Sequence, residues 1–175
     1  MPGSWFFDHR WIINAILFGQ YDRLVNASLS FLQTDGEARV LQLSSVYGSL
    51  TSRLLERLPQ GMDLTDVASQ QLARVRSKCP GHALRLSRMN AECLGYADNA
   101  FDRIVVFFLF HEMPREARMR VRKEIARILR PGGRLIVSEY AEQPSHHCLF
   151  RFQAARWLLC RLEPFLADFW SEHHD

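Results

Sequence analysis

His111 and Glu112 stand side by side where an apolar run, Ile104 to Phe110, comes to an end. An imidazole there can take or give a proton near neutral pH, and an adjacent carboxylate can orient it or join it around a divalent ion. The pair is not a zinc-protease signature, because "HEMPR" lacks the second histidine. Glu139 and Tyr140 close a second apolar run, and the adjacent His146 and His147 are further candidates for a metal. A carboxylate and a phenol in that place can bind a ring substrate or an ion. Their alternatives are structural: a histidine after a strand often fills a pocket, and histidines in a polar loop are mostly solvated.

Two more polar residues follow apolar runs. Asp66 ends "MDLTD", where it can accept hydrogen bonds from the hydroxyls of a sugar or cap the helix that follows. Asn90 and Ala91 follow "LRLSRM", where an amide oxygen and a main-chain contact can meet an exocyclic amino group. The segment "VLQLSSVYGSLT", Val40 to Thr51, has the outline of a nucleotide-binding turn. Gln42 occupies the acidic place of such a turn, and Ser44, Val46 and Gly48 occupy its glycine places. Gly48 tolerates a left-handed backbone or a close ligand, whereas Val46 is poorly suited to positive φ. Ser44 and Ser45 offer hydroxyls, and the ring of Tyr47 can attract a cation.

The elements that must position these residues are legible from periodicity. Strands are expected over 39–44, 62–67, 83–88, 102–109 and 134–140, and helices over 50–58, 69–77 and 115–129. A final helix is expected from about Leu149 to Trp170, broken near Pro164. "RPGGR", Arg130 to Arg134, reads as a helix stop feeding the last strand. Short apolar runs alternating with helical segments predict a doubly wound, Rossmann-like α/β sandwich with a parallel sheet covered on both faces. Residues 1–34, opening with Trp5, Phe6, Phe7 and Trp11, are expected as a helical cap, and 35–175 as the ligand-binding domain. In such sheets ligands sit outside the carboxyl ends of the strands, which is where each candidate residue falls.

Bulk properties narrow the classes. A chain of 175 residues with 47% hydrophobic and 23% charged residues is of ordinary globular composition. A net charge of +3 gives no footprint for nucleic acid. Four cysteines without C-x-x-C spacing read as reduced thiols of a cytosolic protein. The apolar stretch Trp11 to Phe18 falls far short of the roughly 20 residues that span a bilayer. The helix ending at Trp170 interleaves Arg151, Arg156 and Arg161 with aromatic residues, a pattern that serves core packing or the headgroup boundary. The expected location is the cytoplasm, with peripheral contact at the inner membrane face left open.

The ordered series "VLQLSSVYGSLT", "LTDVASQQL", "NAECLGYADNAFDRIV" and "RILRPGGRLIVSEY" resembles the motifs of class I S-adenosylmethionine-dependent methyltransferases across Arg39 to Tyr140. "VLQ" with "VYG", "FFLFHEMP" at 107–114, "LEPFLADFW" at 162–170 and "WIINAILFGQYDRL" at 11–24 are similar to the methyltransferase-like proteins of rhodoquinone biosynthesis. The chain departs from that group where Glu139-Tyr140-Ala141 replaces an Asp-Tyr-His arrangement. It also offers no sixth strand and no antiparallel seventh, so the expected sheet lacks the C-terminal β-hairpin and has an exposed edge.

The resemblance implies S-adenosylmethionine as cofactor, held by Gln42, Ser44, Tyr47, Gly48, Asp66, Asn90 and Ala91, with a divalent metal left open. It implies His111, Glu112 and Tyr140 as catalytic residues. The implied acceptor is a lipophilic quinone, with ubiquinone converted to rhodoquinone by exchange of a ring methoxy group for an amino group. The altered turn would then hold the cofactor in an altered pose. The alternatives are conventional methyl transfer to a small or lipid-like acceptor, and a non-catalytic partner protein of the same fold.

Overall fold

A computed structural model describes residues 19–34, 37–45, 48–140 and 164–172. The aromatic opening segment, the break at Asp35-Gly36, Val46-Tyr47 and the first two thirds of the expected final helix, with His146 and His147, lie outside the described residues.

The element order is α1 (Tyr21–Leu32), β1 (Val40–Leu43), α2 (Leu50–Leu55), β2 (Met62–Asp66), α3 (Ser69–Lys78), β3 (Leu84–Arg88), β4 (Phe101–Phe107), a 3-10 turn (Phe110–Glu112), α4 (Arg115–Ile128), β5 (Leu129–Ser138) and α5 (Leu166–Ser171). The five strands form one sheet in the order β3-β2-β1-β4-β5, with every pair parallel. This is the doubly wound architecture that the alternating pattern predicts. The chain winds outward from β1 to β3, then returns to lay β4 against the other side of β1, so the strand order reverses between β1 and β4. At that reversal the connections leave on opposite faces and open a crevice at the carboxyl ends.

The register sorts side chains between two layers. Val40, Met62, Leu64, Val105, Phe107 and Ile136 pack with Tyr21, Val25, Leu29, Leu54 and Val75 on one face. Leu41, Leu43, Ile104 and Val106 pack with Val121, Ile125, Ile128, Leu166 and Phe169 on the other. The second face follows from helical spacing: Ala117, Val121, Ile125 and Ile128 recur along α4 and are buried. The valine and the two isoleucines each contribute about 1.5–3 kcal/mol on full burial.

Two of the boundaries that differ from the periodicity do so for local reasons. β4 stops at Phe107 because Phe108 adopts φ 53°, a left-handed turn that ends the extended run. β5 begins five residues earlier than expected, because Leu129 pairs with Phe101 before Arg134 pairs with Arg103, and the Pro-Gly-Gly segment bulges between them. β5 is the outermost strand among the described residues, and Leu135 and Val137 on its α4-facing side are 41% and 43% exposed.

Candidate functional site

The turn after β1 is built around Asp66 at the end of β2. Oδ2 of Asp66 accepts the Ser45 N–H at 2.8 Å, the Ser45 hydroxyl at 2.7 Å and the Ser44 hydroxyl at 3.4 Å. Oδ1 accepts the Ala68 N–H at 2.8 Å, which turns the chain into α3. The acid therefore joins two adjacent strand ends and orients the following helix at once. Ser44 stands at φ 69°, the left-handed conformation for which glycine is the usual choice, and a residue with a Cβ held there costs about 1–3 kcal/mol.

Gln42 is fully buried. Its amide nitrogen donates to the Ser44 carbonyl at 3.1 Å, and its amide oxygen accepts the Thr51 hydroxyl at 3.0 Å. With no exposed surface, it gives the turn its shape from behind. An acid could not do this, since a carboxylate has no proton for the Ser44 carbonyl. Gly48 is required for a second reason beyond any ligand. It sits at φ 97°, and a Cβ there would lie 2.2 Å from the Tyr21 hydroxyl, which accepts the Ser49 N–H at 2.6 Å. The cap helix α1 thus holds the start of α2 through a phenol.

Asn90 is exposed, and its side-chain oxygen accepts the Glu92 N–H at 3.0 Å. Ala91 beside it is half-buried and packs against the α4-side core.

The second half of the site lies beyond β4 and β5. His111 is buried, at 4% exposure, with Nδ1 2.8 Å from Oε2 of Glu139. Oε1 of Glu139 accepts the Phe110 N–H at 2.5 Å. One carboxylate so fixes both the backbone of the 3-10 turn and the imidazole it carries. Glu139 thus orients His111 from the end of β5, while Glu112, the adjacent carboxylate expected to orient it or to join it around an ion, is exposed. The 3-10 turn explains it, since adjacent side chains diverge by about a third of a turn. The Tyr140 ring stands edge-on to His111 at 4.9 Å, to Phe108 at 5.0 Å and to Trp170 of α5 at 6.4 Å. Trp170 is legible in the sequence as part of an amphipathic stripe and as the end of "LEPFLADFW", and no local signal marks it as a neighbour of Tyr140.

α5 is held against this end of the sheet by Arg118 of α4. That guanidinium is fully buried and pairs with Asp168 at 2.6 Å and Glu172 at 2.8 Å, and it also donates to the Met113 carbonyl. Among the described residues no group of three or more His, Cys, Asp or Glu side chains is arranged to hold a metal ion.

Residues 40–133 match the family model described as a methyltransferase domain, which is more than half of the chain. The chain belongs to the methyltransferase domain family. Among curated relatives, it is 29% identical over 141 residues to the ubiquinone/menaquinone biosynthesis C-methyltransferase UbiE of Dinoroseobacter shibae, covering 77% of this chain and 55% of that protein. It is 30% identical over 138 residues to the demethylmenaquinone methyltransferase of Thermus thermophilus, covering 76% and 61%. The chain therefore spans little more than half the length of these relatives. Among solved structures, the [4+2]-cyclase SpnF is similar at a TM-score of 0.62 and 27% identity, over 73% of this chain and 48% of that one. An S-adenosylmethionine-dependent methyltransferase from Mesorhizobium loti shares the fold at a TM-score of 0.55 and 20% identity, over 64% and 51%.

The cofactor of this methyltransferase family is S-adenosylmethionine, and the residues present fit it. Oδ1 of Asp66 carries one hydrogen bond from Ala68 and a carboxylate oxygen accepts two, so it keeps capacity for a ribose hydroxyl. Ser44 and Ser45 present two hydroxyls beside it that can exchange Asp66 for a ligand.

Proposed function

We propose that this chain is an S-adenosylmethionine-dependent transferase whose acceptor is a lipophilic quinone. The observation that carries the reading is the placement of Asp66 and of the His111–Glu139 pair at the same ends of the sheet, on either side of the strand-order reversal. Asp66, Ser44 and Ser45 bind the cofactor's ribose, with Asn90 and Ala91 at its base. When bound, the cofactor supplies the group to be transferred. His111 donates its Nδ1–H to Glu139 in a hydrogen bond, which makes Nε2 the basic ring nitrogen, suited to take the proton released in the transfer: from the ring carbon on methylation, or from the entering nitrogen on exchange for the methoxy group. Tyr140 supplies a flat aromatic wall suited to a ring. The names of the relatives, ubiquinone/menaquinone and demethylmenaquinone methyltransferases, support a quinone.

The finer reading is conversion of ubiquinone to rhodoquinone, supported by the likeness of "VLQ", "VYG" and "FFLFHEMP" to that group. The buried Gln42 also favours it, because a turn shaped by an amide from behind differs from one that presents an acid. Methyl transfer to a quinone ring carbon is the second reading, favoured by the relatives' names.

The test incubates the purified chain in mild detergent with S-adenosylmethionine and either ubiquinone or a demethylmenaquinone, and identifies products by mass spectrometry. Rhodoquinone from ubiquinone supports the finer reading, and a methylated naphthoquinone supports the second. Folded protein that binds S-adenosylmethionine in calorimetry yet yields neither product refutes the quinone acceptor. Folded protein that binds no cofactor refutes the enzyme and leaves a non-catalytic partner of the same fold.

A further inference from the structure

Trp170 is 8% exposed, and its indole Nε1–H meets no hydrogen-bond acceptor among the described residues. Buried donors are nearly always paired, and one left unpaired loses its hydration with nothing in return. A tryptophan kept in such a place needs a reason, since phenylalanine would fill apolar space without the penalty.

Its surroundings supply one. The indole stands edge-on to Tyr140 at 6.4 Å, and Tyr140 stands edge-on to His111 at 4.9 Å, so the three rings line the same strand ends in sequence. The helix that carries Trp170 is only six residues long and could not hold itself in place. It is fixed instead by a fully buried arginine, Arg118, bonded to Asp168 and Glu172 on either side of Trp170 along the chain. Taking an arginine wholly out of water is a poor route to stability alone, and a well-packed apolar contact does as much. What the ion pair does well is set position: it fixes α5 to α4 at defined points flanking the indole.

We propose that Trp170 is an acceptor-binding residue: its indole N–H donates to an oxygen on the ring of the substrate, a carbonyl or hydroxyl of a quinoid molecule seated against Tyr140. Arg118 is the positioning residue that holds it there. The inference rests on the quinone reading of the site and adds the atom that recognises the ring's oxygen. A site with a buried donor discriminates against a ligand that lacks the matching acceptor, because the donor is then left unpaired.

The experiment titrates wild type and Trp170→Phe by calorimetry with three probes. These are S-adenosylmethionine, a short-chain 2-alkyl-1,4-naphthoquinone, and the 2-alkylnaphthalene of equal chain length, which has no ring oxygen. The expected result is naphthoquinone binding about three- to tenfold weaker in Trp170→Phe, with alkylnaphthalene and S-adenosylmethionine affinities unchanged. Equal naphthoquinone affinity in the two proteins overturns the inference. So does an equal loss for both ring probes, which would mean that the indole only fills space. Wild type that binds S-adenosylmethionine and not the naphthoquinone also overturns it, while leaving the cofactor half of the proposed function standing. Wild type that binds no S-adenosylmethionine removes the underlying reading itself.

Discussion

Nδ1 of His111 lies 2.8 Å from Oε2 of Glu139, residues 28 positions apart in the chain that meet because β4 and β5 run parallel and end together. A carboxylate bonded to one ring nitrogen fixes which nitrogen carries the proton. Glu139→Gln keeps the shape and removes the charge. Turnover should fall about 100-fold, with the acceptor KM nearly unchanged and the melting temperature within a few degrees of wild type. Steady-state kinetics beside a thermal melt decides it, since a purely structural Glu139 would lower both together.

Restoring an acid in the turn should harm this chain. In Gln42→Glu the new carboxylate would face the Ser44 carbonyl, where the amide nitrogen now donates at 3.1 Å, with no solvent to screen it. The expected loss is about 1–3 kcal/mol of folding stability, growing as the pH rises and the acid ionises. Urea denaturation at two pH values measures it. A more stable variant would show that the turn can rearrange around an acid.

Gly48→Ala tests the contact with the cap helix. The added methyl group meets the Tyr21 hydroxyl at 2.2 Å and the ring carbon behind it at 2.6 Å, at a backbone φ of 97°. A destabilisation of roughly 2–4 kcal/mol is expected from the clash and the backbone strain together. Chemical denaturation should show only partial recovery when Tyr21→Ala is added, because the strain in φ remains.

Acid should release α5. The hydrogen bond from Arg118 holds the Glu172 carboxyl below its ordinary 4.5, helped by the charges of Arg118, Arg122 and Arg115. A carboxyl with a lowered folded-state value stabilises the fold fully above about 4.5 and ceases to do so as the pH falls through that lower value. Hydrogen exchange of 166–171 should be slow at neutral pH and approach that of Glu172→Gln on acidification. Identical profiles for the two proteins throughout would show that the ion pair does not hold the helix.

Glu124 should keep its grip further into acid. Its carboxyl is pulled down to about 2, chiefly by the hydrogen bond from Arg127, and it accepts the Leu94 N–H at 2.7 Å. Its contribution should fade only between about pH 4.5 and about 2. Glu124→Gln should therefore differ in melting temperature from wild type at pH 6 and converge with it near pH 2.

The sequence alone determined the layered parallel sheet, because strand and helix periodicities are local properties of short windows and recur from Val40 to Ser138, broken only where β4 follows β3 directly. It also placed Asp66, Asn90, His111 and Tyr140 at strand ends, since a polar residue closing an apolar run is visible in one dimension. Tertiary structure alone decided what each of these touches. Asp66 gathers Ser44 and Ser45 from the turn after another strand, Glu139 reaches His111 from the end of β5, and Arg118 reaches 54 residues along the chain to Glu172. Gln42 and Gly48, read as places where a ligand comes close, are also places where the protein meets itself, at Thr51 and at Tyr21. The reason is geometric: neighbours in the chain diverge along an extended or helical backbone, while strand order and register bring distant residues within hydrogen-bond reach. No window of sequence contains that order.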